Sequence, residues 1–350
     1  MNINFTVKSI KIKNFRGIAE GKLNEFTGIN ILVGRNATGK STILEALYIA
    51  LNPEGVDFIV KRRGWFGLTA LDGLFYRNSR KFSITITFSD KSLQKTSIEI
   101  AIPVSTDLRT LKDRGLNVKN IRSLFVSGEG KLSTRSRFYI DDKGQVGRVI
   151  LGSRESILPW HVAFIDWNAV LSYGEPEEAY TYMIDVGGFE AKNHVVEVLR
   201  ERLKGLATIE PLKKDDKVIL YAVFKDYAVP FYLLGDGIRY TLVYLMLLSA
   251  CKKSFLMLEE PELHTHPGLL ELTAKGIVES YVKRGNQIFF STHSLELIDM
   301  VLNEAVNREL RSDEVKVYRL TLLNGSLHSR TYTLEESAKL RKELEYDLRG

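Results

Sequence analysis

Cysteine is almost missing from this 350-residue sequence: Cys251 stands alone. An intrachain disulfide and a cysteine-cluster metal site are therefore excluded, and the chain fits a reducing compartment. Glutamine is scarce, confined to Gln94, Gln145 and Gln287. With charge-rich helices, that scarcity leans toward the composition of heat-adapted proteins. No long hydrophobic run occurs. The apolar stretch TLVYLMLLSAC (241–251) is too short to span a bilayer and reads as a buried helix. The opening MNINFTVKSIKIKNF lacks the continuous apolar core of a secretory signal. A cytoplasmic chain without a membrane partner is the expectation. Internal repeats, low-complexity tracts and heptads long enough for an extended coiled coil are also lacking.

What remains is an ordinary globular composition, 44% hydrophobic and 26% charged, incompatible with intrinsic disorder. At roughly 150 residues per domain the chain holds about two domains, or one large domain with an insertion. Charge is uneven. Residues 1–150 carry 25 Lys and Arg against 13 Asp and Glu, a net of +12, whereas residues 151–350 net −6. A basic half is compatible with a polyanionic partner such as nucleotide or nucleic acid, and equally with a plain solvated surface.

Periodicity separates three regions. Residues 4–15 alternate as a strand with one phase slip near Lys8–Ser9. The run INILV (29–33) predicts a buried parallel strand, and residues 40–51 a helix with Ile43, Leu44, Leu47, Ala50 and Leu51 on one face, stopped by Asn52-Pro53. Residues 54–230 read differently, with alternating strands at 82–90 and 96–104, a hairpin over 136–151 turning near Asp142–Gly144, and mostly helix over 175–205. The last third returns to α/β alternation: helix 238–251, strand SFLMLE (254–259), helix 269–284, strand QIFFS (287–291), a helix from Ser294, two short strands and a terminal helix. The strands near residues 30 and 256 are expected to share one sheet. On this reading 1–53 and 231–350 form one α/β core, and 54–230 is an inserted β-rich lobe with a helical subdomain.

The strongest motif is Gly34-Arg35-Asn36-Ala37-Thr38-Gly39-Lys40-Ser41, followed by Thr42. This GxxxxGKS pattern leaves a predicted strand and opens a predicted helix, the context in which such a loop cradles phosphate. Loop amides and the helix N-terminus supply positive potential. Lys40 can bridge the β- and γ-phosphates, and the Ser41 hydroxyl can hold Mg²⁺. In FLMLEEPE (255–262) an apolar strand ends in carboxylates: Glu259 is placed to hold Mg²⁺, and Glu260 to deprotonate an attacking water. Gly235-Asp236-Gly237 opens the helix over 238–251, a second anion-compatible N-terminus or a simple flexible turn. His293, in STHS (291–294) just past a buried strand, can hydrogen-bond a γ-phosphate or serve only structure.

Taken in order, these segments resemble the ABC-type ATPases, in the soluble branch that holds SMC, RecF and OLD-like proteins. KIKNFRGI (11–18) is similar to that branch's opening strand, GRNATGKSTILEAL (34–47) to its Walker A segment, LGDGIR (234–239) to its signature loop, LMLEEPELHTHP (256–267) to its Walker B segment and STHS to its switch histidine. The resemblance implies a P-loop NTPase core like an ABC ATPase head, with ATP and Mg²⁺ as cofactors. Two copies would sandwich ATP between Gly34–Ser41 of one and Gly235–Arg239 of the other. Glu260 would be the general base, Glu259 the Mg²⁺ partner, His293 the γ-phosphate sensor and Arg16 a further nucleotide contact. The partner class implied is DNA, or a nuclease in a repair or defence system.

Four features depart from the family pattern. Glu259 stands where aspartate is usual, and Gly235 where a serine would donate to the γ-phosphate. No glutamine sits in a convincing Mg²⁺-sensing context, and the 57 residues after His293 lack room for the nuclease domain of OLD-type proteins. The Gly235 departure keeps open an ATP-gated clamp or sensor with negligible turnover. Two further segments invite other readings: the His264/His266 pair as metal ligands, and Lys61-Arg62-Arg63 with Trp65 and Phe66 as a nucleic-acid clamp or as a loop over a core tryptophan.

Overall fold

A computed structural model of the chain describes residues 6–52, 55–67, 70–89, 95–101, 136–140, 146–150, 161–173, 176–214, 216–263, 265, 267–344 and 346–349. The chain begins with β1 (Val7–Phe15), β2 (Ile18–Leu23), β3 (Ile29–Val33), α1 (Lys40–Leu51), α2 (Val56–Arg62), β4 (Lys81–Phe88) and β5 (Lys95–Ala101). There follow β6 (Ser136–Ile140), β7 (Val146–Ile150), β8 (His161–Ile165), α3 (Trp167–Ser172), α4 (Pro176–Leu199), β9 (Leu206–Lys214), β10 (Lys217–Phe224) and β11 (Ala228–Pro230). The last third holds α5 (Asp236–Ala250), β12 (Ser254–Glu259), α6 (Pro267–Val282), β13 (Gln287–Ser291), α7 (Leu295–Asn307), β14 (Val315–Leu323), β15 (Ser326–Thr333) and α8 (Leu334–Leu344). The expected mixed α/β architecture is present. The turn foreseen at 142–144 and the end of the strand foreseen at 96–104 lie outside the described residues.

The chain divides into two compact units. The first comprises Met1–Thr27, Gly34–Pro159 and Leu320–Arg330. Its strands run in the order β5-β4-β1-β2-β15, with β1 antiparallel to both β2 and β4, and β4 antiparallel to β5. Alternation puts Ile10, Ile12, Phe15, Phe82, Ile84 and Ile86 in the core, where Phe15 and Phe82 pack with ring centroids 4.9 Å apart. The phase slip near Lys8–Ser9 is a register shift between Val7 and Ser9 in the pairing with β4.

In the same unit, α1 is buried on more than the one face its periodicity predicts, because Thr42, Glu45 and Ala46 are covered as well. Glu45 is fully buried. A carboxylate there needs counter-charge, and three guanidinium groups supply it: Arg62 at 2.7 Å, Arg63 at 2.6 Å, and Arg16. Burial, with Arg63 and Arg62 close by, lowers the Arg16 guanidinium to about 9. Arg16 also lies over the Trp65 ring, 5.4 Å from its centroid. Within the basic-aromatic segment 61–66, Arg62, Arg63 and Trp65 are turned inward, whereas Lys61, paired with Asp57 at 3.7 Å, and Phe66, 85% exposed, lie outside.

The second unit comprises Gly28–Val33, Trp160–Arg319 and Thr331–Gly350. Its sheet runs β14-β3-β13-β12-β8 with the four neighbouring pairs all parallel. The strands near residues 30 and 256 share this sheet, as expected, with β13 between them. Every residue of β3 and β13 is buried, as are the first five of β12, which is why these strands read as unbroken apolar runs. Asn30 is tolerated inside because its Nδ2 donates to the Ile288 carbonyl at 3.0 Å. The strand β8, within the stretch read as an inserted lobe, extends this sheet. A separate sheet, β11-β10-β9, is antiparallel. The helix α4 is interrupted at Gly188, whose φ of 64° suits glycine alone at little cost.

A second buried carboxylate organises the helices of this unit. Glu279 on α6 pairs with His194 at 3.1 Å, Lys283 at 3.4 Å and Arg308. Burial alone would push its carboxyl up; the nearby His194, Lys283 and Arg308 outweigh it and hold the group at about 2, against an ordinary 4.5.

Two outcomes follow. Replacing Glu45 with Ala strands three cations around an apolar gap, so urea titration should show a loss of about 3–5 kcal/mol. Because the Glu279 pKa is depressed in the folded state, its contribution is present above pH 4.5 and disappears as pH falls toward 2. Thermal melts from pH 6 to 2 should therefore fall more steeply for the natural chain than for Glu279→Gln.

Candidate nucleotide site

The phosphate-loop residues all lie in the first unit. Gly34 has a φ of 147°, and a Cβ placed on it would stand 2.7 Å from the Leu320 carbonyl oxygen. Only glycine fits. Ala37 and Gly39 also take positive φ, 62° and 94°, so the segment curls before α1 begins. Lys40 is buried, and its Nζ donates to the Gly34 carbonyl at 2.8 Å and the Arg35 carbonyl at 3.0 Å. Thr38 Oγ1 donates to the Arg35 carbonyl at 2.9 Å. The ammonium therefore sits in the hollow of its own loop. Arg35, Asn36 and Ala37 are exposed, Ser41 is half-buried, and Thr42 is buried. No side chain caps α1, and no acidic residue occupies its first turn. Its N-terminal positive potential is not offset by a side-chain carboxylate there.

The carboxylate and histidine residues lie in the second unit, at the level carboxyl ends of parallel strands. Glu259 pairs with Ser291 across β12 and β13, and Ser291 with Leu32 across β13 and β3. The residue after Val33, the last of β3, is Gly34 of the phosphate loop. Glu260 turns the chain away from β12 with a φ of 47°, a left-handed conformation that costs a non-glycine residue about 1 kcal/mol or more. Its N–H donates to the Ser291 carbonyl at 3.0 Å. His293 Nε2 stands 3.4 Å from Glu260 Oε1, both side chains about one-third exposed.

Glu259 and Glu260 line a small cleft, shared with Asp166 and Trp167 after β8 and with Tyr240 and Tyr244 on α5. The helix α5 starts at Gly235, whose φ is 85° and whose Cα faces open space. Gly235 and Asp236 are exposed, Gly237 is half-buried, and Asp236 pairs with Arg239 at 3.2 Å.

Sequence reasoning missed the part played by Glu262. Its Oε1 accepts hydrogen bonds from Thr292 Oγ1 and from the His293 N–H, each at 2.7 Å. The only signal was its position two residues after Glu260. It also missed Arg349, whose Nη1 donates to the His293 carbonyl at 2.9 Å. Gln94, Gln145, His264 and His266 lie outside the described residues; Gln287 is buried at the start of β13. Among the described residues, no group of three or more His, Cys, Asp or Glu is arranged to hold a metal ion, and no helix is long and apolar enough to cross a membrane.

Residues 29–299 match the family described as "AAA domain, putative AbiEii toxin, Type IV TA system". The chain belongs to this AAA-domain family. An "ATP/GTP phosphatase" of Helicobacter pylori is 23% identical over 372 aligned positions, covering 93% of this chain and 95% of that one. The DNA double-strand break repair Rad50 ATPase of Archaeoglobus fulgidus is 37% identical over 83 residues, 24% of this chain and 8% of that one. Among solved structures, the Smc head domain from Pyrococcus furiosus, bound to the C-terminal domain of ScpA, superposes with a TM-score of 0.54 at 12% identity, covering 98% of this chain and all of the other. The AAA-domain chain thus has the fold of an SMC head, and part of it is similar to a Rad50 ATPase.

The loop geometry sets a test. Lys40→Ala removes the ammonium from the hollow, and affinity for a non-hydrolysable ATP analogue, read by calorimetry, should fall about 10- to 100-fold. Gly34→Ala should lose binding and thermal stability together, because its Cβ collides with backbone.

Proposed function

We propose that this AAA-domain protein binds ATP with Mg²⁺ and hydrolyses it to ADP and phosphate. The observation that carries the reading is the Glu260–His293 pair, 3.4 Å apart, just past the carboxyl ends of the parallel strands β12 and β13. On this reading the ATP-binding core is built from 1–53 and 231–350, with β8 lent to it by the 54–230 stretch.

The amides of Gly34, Arg35, Asn36, Ala37, Thr38 and Gly39 would wrap the phosphates, with Lys40 along the β- and γ-oxygens and the amides of Ser41 and Thr42 at the helix start. The Ser41 hydroxyl and the Glu259 carboxylate would hold Mg²⁺, which, when bound, neutralises charge on the leaving phosphate oxygens. Oxygen donors of this kind suit a hard cation that also takes phosphate ligands. Glu260 takes a proton from water. The water oxygen forms a bond to the γ-phosphorus, the bond to the β–γ bridging oxygen breaks, and ADP departs with that electron pair. His293 donates to a γ-phosphate oxygen. Arg16, committed to Glu45 and Trp65, acts on the nucleotide by supporting α1.

The exposed N-terminus of α5 is free of bulk around Gly235. We propose that Gly235, Asp236 and Gly237 of a second copy close over the γ-phosphate, so that ATP binding makes a homodimer whose opening and closing works on DNA or on a nuclease. The Rad50 relative and the basic N-terminal portion support that partner class.

Phosphate release and size exclusion of the natural chain and Glu260→Gln, with and without Mg-ATP, test this. The natural chain should turn over, while Glu260→Gln slows by about 100-fold or more and elutes as a dimer with Mg-ATP. A persistent monomer overturns the sandwich. Absence of turnover in the natural chain, with ATP bound, leaves only a nucleotide-gated clamp.

A further inference from the structure

We infer that Glu262 is a positioning residue that fixes His293 relative to Glu260. The inference rests on the hydrolytic reading above, and its geometry lies wholly within the second unit. Glu262 follows Glu260 by two residues, with the buried Pro261 between them. Its Oε1 receives two hydrogen bonds from the segment after β13, one from the buried Thr292 hydroxyl and one from the His293 N–H. Thr292 Oγ1 in turn accepts from the Ser294 N–H at 2.9 Å, and Ser294 Oγ caps α7 by accepting from the Leu297 N–H at 3.1 Å. With Arg349 on its carbonyl, the His293 peptide is gripped on both sides, and ring rotation is the freedom left to it.

One carboxylate therefore ties the turn that carries Glu260 to the turn that carries His293. A charged acceptor shared by two donors is a stronger and more directional tie than neutral groups would make. Among the described residues, the other oxygen, Glu262 Oε2, is buried without a hydrogen-bond partner, and so is the Tyr244 hydroxyl. Burial, and next the charge of Glu262, pushes the Tyr244 phenol well up, so it stays protonated as a donor. Tyr244 belongs to α5, the helix that begins at Gly235. Glu262 thus joins two motif-bearing segments, the end of β12 and the end of β13.

The test combines kinetics with a signal independent of turnover. Glu262→Ala should lower kcat by about 10- to 100-fold while KM for ATP stays within about threefold, and Glu262→Gln, whose carbonyl still accepts from both donors, should recover most of kcat. In nucleotide-free protein, the ring resonances of His293 should move when Glu260 is changed to Gln; in a Glu262→Ala background that response should vanish. If Glu262→Ala does not fold, Glu262→Asp, which withdraws the acceptor by one methylene, is read in the same way. The inference is overturned if Glu262→Gln is as slow as Glu262→Ala, or if the His293 resonances respond to Glu260→Gln with or without Glu262. Should the natural chain lack turnover, the hydrolytic reading fails by itself, and the resonance experiment still decides whether Glu262 holds the histidine.

Discussion

Backbone hydrogen bonding in three fully covered parallel strands is the constraint on which the second unit depends. The strands β3, β13 and β12 are buried along nearly their whole length, so their N–H and C=O groups have no water to turn to and must pair with one another. That requirement fixes register: Leu32 beside Ser291, and Ser291 beside Glu259. A slip of one residue would turn the side chains to the opposite faces and shift Glu259 and His293 from a common level. The common level of Leu32, Ser291 and Glu259 at the strand ends is thus a by-product of satisfying polar groups in the strand middles.

Buried charge follows one rule in both units. Glu45 and Glu279 are each enclosed, and each gathers several cationic or imidazole partners from different helices and loops. Such pairs contribute little net stability compared with apolar residues of the same shape, but losing one partner is expensive. They act as registry devices. Glu45 determines how Arg16 after β1 and the arginines ending α2 meet the helix that carries the phosphate loop, while Glu279 determines how α4, α6 and the end of α7 meet.

Much of this was legible in the residues. The strands INILV, SFLMLE and QIFFS emerge at their predicted limits because unbroken apolar runs bounded by polar turns admit few alternatives, and the helix from Lys40 begins where Gly39 permits. The strand β2 escaped notice because IAEGKL carries a glycine in its middle; Gly21 is there because a Cβ would meet Leu327 at 2.7 Å. The strand β8 is short and half-exposed at its start, too weak a pattern to stand out. The strands β9 and β10 alternate clearly enough, but follow directly on a long helix whose signal masked them. Of the candidate site, the glycines, Lys40, Glu259, Glu260 and His293 could be nominated from motif order. Glu262 could not, because what defines it is a backbone N–H thirty-one residues away, a relation that composition and periodicity do not encode.

The left-handed turn at Glu260 bears on how this molecule could change over time. Its amide is tied to Ser291 and its φ is 47°, so the direction in which its side chain leaves the sheet is dictated by the main chain rather than by the group at its tip. Swapping that tip for an isosteric one alters proton affinity and leaves aim untouched. If the proposed hydrolysis holds, a lineage could therefore drift between fast, slow and silent forms by single exchanges at one position, keeping the scaffold intact.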